Sequence, residues 1–210
     1  LTGIHNSLRS QTQSRIDEEV LGYETSLENL ADMIREPNVI GVGIGAHNRV
    51  KTIVQSITTR DEKGDVNKTT EGVSMVPPFI IVTKKNATVL RRILRFFRKN
   101  QCAEVIDGKK IITAKYPALI IDDEADQASI NTNDSYDEKG NLLDDYNPTT
   151  INGLIREILK TFECRSYVGY TATPFANIFI PPHINSERYG TDLFPRNFVF
   201  RTPRADQYIG

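Results

Sequence analysis

The chain has 210 residues, a quarter of them charged, and a formal net charge of −1. That length can bury a full core and is most simply one domain, and its near-neutral charge announces no bulk nucleic-acid or membrane-surface binder. The two cysteines, Cys102 and Cys164, lie far apart, which argues against a disulfide scaffold and fits a reducing cytoplasm. The three histidines lack zinc-ligand spacing, and no apolar run approaches membrane-spanning length.

The first three residues read as the end of a strand leading into a helix. Asn6 or Ser7 is a suitable cap for a helix running through 17–21. Arg9, Gln11, Thr12 and Arg15 fall in its early turns. The helix N-terminus and Arg9 could together receive a DNA phosphate; the plainer alternative is a surface amphipathic helix. A second helix is expected over 27–35, stopped near Pro37. A glycine-rich strand or loop follows at 39–44, then a strand over 50–58 and a polar loop over 61–72.

Residues 79–83 read as a buried strand, and Lys84, Lys85 and Asn86 as the loop at its carboxyl end. From 79 to 101 there is no acid but seven lysines and arginines. The helix after Asn86 places Leu90, Ile93, Leu94 and Phe97 on one face and its basic residues on the other. Arg92, Arg95 and Lys99 read as a solvated face. Lys84, Lys85 and Asn86 are the better phosphate candidates because they lie on the loop at the ligand edge of the sheet, and such backbone contacts would give affinity without sequence choice.

Asp107-Gly108 is a two-residue hairpin signal between strands at 103–106 and 110–113. An apolar run over 118–121 then ends abruptly in Asp122, Asp123, Glu124 and Asp126. Such a run reads as a strand buried on both faces, with the carboxylates at the edge of a parallel sheet where open α/β folds place ligands. Carboxylates packed so closely repel one another without a cation, and a hard, oxygen-ligated one such as magnesium suits them. Residues 133–148 form a polar excursion. Thr149 or Thr150 caps a helix over 151–162. Another short apolar strand at 167–170 breaks into Thr171-Ala172-Thr173-Pro174, and a last strand is expected over 198–201. Strands alternating with helices predict an α/β fold with a mainly parallel sheet.

Asp123-Glu124-Ala125-Asp126 resembles the Walker B box of superfamily-two helicases, and Thr171-Ala172-Thr173 resembles their Ser/Thr-Ala-Thr element. The longer strings, 122–132 and 169–177, with 3–12 and 192–196, resemble the endonuclease-associated family called the Z-one domain, over most of the chain. That resemblance implies a RecA-like three-layer fold and an ATP-driven motor module acting on DNA in bacterial restriction-like defence. It implies ATP and magnesium as cofactors, Asp123 as the magnesium ligand, Glu124 as general base, and Asp126, Thr171 and Thr173 as the set coupling nucleotide state to DNA. Expected partners are DNA, through its backbone, further domains of the same chain, and a companion methyltransferase or nuclease.

A phosphate-gripping Gly-x-x-x-x-Gly-Lys-Ser/Thr loop is absent: the only Gly-Lys pair, Gly108-Lys109, has Ala103 where the first glycine should stand and Lys110 where the hydroxyl should. The expectation is therefore a single RecA-like domain over 1–210, trimmed of its phosphate loop upstream and of a second motor domain downstream. Two alternatives stand beside it. One is a nuclease centre that cuts DNA directly, for which Asp107-Gly108-Lys109 and Glu62-Lys63 offer fragments. The other is a non-catalytic interaction module on a helicase fold.

Overall fold

The computed structural model describes residues 1–27, 38–47, 54–68, 78–99, 103–112, 115–133 and 148–203. All but the first residue of the helix expected over 27–35, and most of the polar excursion at 133–148, lie outside them.

Helix α1 (Asn6–Ile16) begins at His5, which makes no side-chain cap bond, so neither Asn6 nor Ser7 is its cap. Its buried stripe is polar: Arg9, Gln13 and Asp17, four residues apart. Thr58 Oγ1 donates to Gln13 Oε1 at 2.8 Å, and Thr25 donates to Asp17 Oδ2 from both N (2.9 Å) and Oγ1 (2.8 Å). The helix widens into a π-turn over Asp17–Leu21 and stops at Gly22, whose φ is 75°. A Cβ there would lie 2.3 Å from the Ala46 nitrogen, so the left-handed C-cap and the close crossing both demand glycine. A one-turn helix α2 (Ile44–His47) follows.

The sheet is built from short parallel ladders. β1 (Gln55–Ser56) pairs with β2 (Phe79–Ile80), and the extended chain after β2 bridges Lys84 to Thr2 in parallel. Residue 1 then joins this ladder to the next: the Leu1 nitrogen donates to Ile121 O at 2.6 Å, and Asp123 N donates to Leu1 O at 2.9 Å. β5 (Ala118–Asp123) pairs in parallel with β6 (Arg165–Tyr170) along its whole length. The lateral order is therefore β1, β2, residues 1–3, β5, β6.

Between β2 and β5 come helix α3 (Ala87–Lys99) and the antiparallel hairpin β3 (Ala103–Ile106)–β4 (Lys109–Ile112). Asp107 (φ 49°) and Gly108 (φ 74°) make its turn with both central residues left-handed, as a two-residue hairpin requires. Asn86 caps α3, its Oδ1 accepting from Thr88 N and Val89 N. α3 buries Val89, Leu90, Ile93, Leu94, Phe96 and Phe97 against Leu154, Ile155 and Ile158 of α4 (Thr150–Lys160). Phe79, Phe96, Phe97 and Phe162 interlock there with ring centroids 4.9–6.3 Å apart.

The inner face of β5 and β6 rests on this core through Ala118, Ile120 and Tyr167. Its other face differs from the expectation of a strand buried on both sides: Leu119 is 62 % and Ile121 48 % exposed, and no layer covers them among the described residues. Among the described residues α3 and α4 both carry their apolar stripes to the same side of β5 and β6. A short helix α5 (Phe175–Ile178) and the hairpin β7 (Asn185–Ser186)–β8 (Gly190–Thr191) follow β6. The strand expected over 198–201 is absent; Phe198, Val199 and Phe200 are exposed with no partner strand among the described residues, so their β-propensity finds nothing to pair with. The molecule is an α/β protein with short parallel sheets. No helix among the described residues is long and apolar enough to cross a membrane.

Candidate active site at the carboxyl edge of β5 and β6

The two strands end together. Asp123 stands opposite Tyr170 in the ladder, and Ala125 N donates to Tyr170 O at 2.9 Å just beyond it. Both chains break into loops at the same sheet edge, which brings 122–127 and 171–177 side by side.

Alternation along β5 sends Asp122 inward and Asp123 outward. Asp122 is fully buried. Lys85 Nζ lies 3.1 Å from its Oδ1, while Ser129 Oγ (2.6 Å) and Tyr167 OH (2.7 Å) donate to Oδ2. Burial, reinforced by the Asp122 charge, pushes the Tyr167 phenol far above its ordinary range, so it stays a donor. Asp123 is exposed and Glu124 half-exposed. Glu124 carries φ 56°, a left-handed conformation that is uncommon outside glycine and stores roughly 1–3 kcal/mol when imposed by its surroundings. Gln127 Nε2 donates to Glu124 Oε2 at 3.3 Å.

Asp126 faces the other loop. Thr173 Oγ1 donates to its Oδ2, and Thr173 N donates to Thr171 Oγ1 at 2.9 Å. The Thr173 hydrogen bond, with a further one from Thr171, holds the Asp126 carboxyl below its ordinary range. Asn177 Nδ2 donates to Ala125 O at 3.2 Å, a second tie between the loops.

Thr173→Val is expected to raise the Asp126 pKa toward the ordinary value near 3.9, read by carbon-detected NMR titration. Asp126 is depressed in the folded chain, so its contribution is present above that ordinary value and is lost as pH falls through the lower folded one. An unmoved Asp126 titration in Thr173→Val would show that the inter-loop bond does not set its charge.

Five of the residues singled out in sequence meet here: Asp123, Glu124, Asp126, Thr171 and Thr173. The four assigned to DNA do not behave as a set. Arg9 is fully buried, with Nη1 donating to Thr59 O at 2.7 Å and Nη2 to Asp61 O, so it fastens the 58–61 segment to α1 and is no phosphate contact. Lys85 is equally buried, aimed at Asp122 instead of solvent. Asn86 is exposed, but its carbonyl oxygen caps α3. Lys84 keeps a half-exposed position, its Nζ donating to Asn6 Oδ1 at 2.5 Å. The roles of Asp122, Lys85, Ser129, Tyr167 and Asn177 escaped sequence reasoning. Only strand parity hinted at the inward Asp122; Ser129 reaches it from seven residues on, and Lys85, Tyr167 and Asn177 are joined across 38 to 52 residues of sequence.

Asp107-Gly108-Lys109 is an exposed hairpin turn, with no carboxylate cluster around it among the described residues. Among the described residues no three histidines, cysteines or carboxylates converge to cage a metal directly. Magnesium does not need such a cage, since it keeps several waters and uses one or two carboxylates with substrate phosphates. The exposed Asp123 fits that donor set, and the buried Asp126 Oδ1, which has no hydrogen-bond partner among the described residues, offers an acceptor for an ordered water. Comparison with known proteins returns no matching family model, no matching curated protein and no matching solved structure. The fold and the site together define an α/β protein with a carboxylate–hydroxyl constellation at a sheet edge.

Proposed function

We propose that this chain carries the magnesium-binding and water-activating part of a RecA-like, DNA-acting ATPase motor of the Z-one type. The observation that carries the reading is the Thr173–Asp126 hydrogen bond between the ends of adjacent parallel strands, with Asp123 and Glu124 on the same edge. A plain acidic loop after a strand explains the carboxylates but gives no reason for a hydroxyl pair from the neighbouring strand to seek the last of them.

In this reading Glu124 takes the proton from a water attacking the terminal phosphate of ATP in line. Asp123 would hold magnesium, which when bound would supply positive charge against the phosphate oxygens. Asp126 transmits the state of that site to the Thr171–Thr173 loop, because any shift of the carboxylate must break or carry the bond. Residues 1–210 contain no phosphate-gripping glycine-lysine loop, so the reading requires that grip from elsewhere in the assembly. The test is ATP turnover by the full-length protein with and without DNA. Turnover that DNA accelerates is the expected result; none under either condition overturns the reading.

In this reading the half-exposed Lys84 is the basic candidate for a DNA phosphate at this edge. Lys84→Ala should weaken binding equally across sequences and reduce the log–log salt slope by roughly one unit. Arg92→Ala with Lys99→Ala should leave the slope unchanged. Fluorescence anisotropy at several salt concentrations distinguishes the two, and a larger slope change from the helix pair would place the DNA along α3.

A further inference from the structure

A single buried ammonium sits behind the carboxylate loop. Lys85 Nζ donates to Asp123 O at 2.8 Å and to Glu124 O at 2.5 Å, and it lies 3.1 Å from Asp122 Oδ1. Two of the ammonium's three protons go to these carbonyls, and the Asp122 carboxylate beside it supplies the counter-charge as an ion pair. Both carbonyls belong to the residues read as magnesium ligand and general base, and the second is that of Glu124, whose own φ is 56°. Nothing in Glu124 itself favours that conformation: a glutamate there gains no local hydrogen bond of the kind that lets Asn or Asp adopt it.

The counter-charge is held as firmly. Asp122 accepts from Ser129 and Tyr167, and Ser129 O accepts from Asn152 Nδ2 at 2.8 Å. Asn152 Nδ2 also donates to Asp192 Oδ1 at 3.0 Å, and Asp192 faces Arg156. A continuous buried polar chain thus runs from the β7–β8 hairpin to Lys85. A buried charge without its partner is costly, so the whole chain fixes where the ammonium stands.

We infer that Lys85 is a positioning residue of the site, drawing the Asp123 and Glu124 carbonyls inward and so holding Glu124 in its left-handed turn with its carboxylate outward. The inference rests on the ATPase reading for its consequence in turnover, but its structural content is independent. A lysine serving only to neutralise Asp122 could satisfy its other protons with any acceptor; here they go to the two consecutive carbonyls of the carboxylate loop.

The test replaces Lys85 with Met in the full chain, keeping length and burial while removing the donors. The expected result is a cooperatively folded protein with kcat for ATP down on the order of 10²-fold, as for ångström-scale misplacement of a reacting group. KM should stay within about three-fold, and the backbone amide resonances of 123–126 should shift or broaden. A folded variant with the parent's kcat overturns the inference. If the parent itself hydrolyses no ATP, the ATPase reading fails alone, and the resonances decide: unmoved amides at 123–126 overturn the role of Lys85. If Lys85→Met does not fold, the parent decides, through scalar couplings across the hydrogen bonds from the Lys85 ammonium nitrogen to the Asp123 and Glu124 carbonyl carbons. Their presence supports the role and their absence overturns it.

Discussion

Glu124→Gln is expected to lower ATP turnover by the full-length protein on the order of 10²–10⁴-fold while leaving nucleotide binding nearly unchanged. The amide keeps the shape of the side chain and can still accept from Gln127 Nε2, which lies 3.3 Å from Glu124 Oε2. What it loses is the capacity to accept a proton from water. The backbone at 124 is held by Lys85 and by Gln127 N on Glu124 O, neither of which depends on the side chain. The loss should therefore fall on kcat and not on stability. Turnover measured beside nucleotide binding separates the two, and a variant that hydrolyses ATP near the parent rate removes Glu124 as the base.

Asp192→Ala is expected to destabilise the chain by about 3–5 kcal/mol, the effect of stranding a buried charge. Arg156 is fully buried and sits 3.5 Å from Asp192 Oδ2. Asp192 also anchors Asn152 Nδ2 at 3.0 Å and Leu193 N at 2.7 Å, so its removal disturbs three partners, two of them on α4. Arg98→Ala is the control. Arg98 reaches Glu157 at 3.2 Å, but its side chain is 49 % exposed, and a solvated pair of that kind contributes no more than about 1 kcal/mol. Urea denaturation midpoints for the two variants give the comparison. Equal losses would mean that the buried pair is not what ties the β7–β8 hairpin to α4.

The parts legible in sequence were those whose cause is local. Asp107-Gly108 makes its hairpin because only certain residues adopt left-handed φ without penalty. α3 shows its apolar stripe because its partners, α4 and the sheet, are apolar, so the 3.6-residue period appears in composition. The gathering of Asp123, Glu124, Asp126, Thr171 and Thr173 at one edge follows once the two strands are parallel neighbours.

What depended on partners distant in sequence could not be read. α1 buries Arg9, Gln13 and Asp17, a polar stripe that hydrophobic periodicity cannot see, and Arg9 looked like a free cation until its two carbonyl partners were in place. Lys85 stands beside Lys84 in an exposed-looking basic pair; only the arrival of β5, 38 residues later, turns one of them into the buried anchor of the carboxylate loop. Leu119 and Ile121 read as interior because they are apolar, yet burial depends on which side of the sheet the helices take. Residue type and spacing determined which groups could do chemistry here. Tertiary packing decided which charges meet solvent, because the cost of burying a charge is settled by its partners and not by its neighbours in the chain.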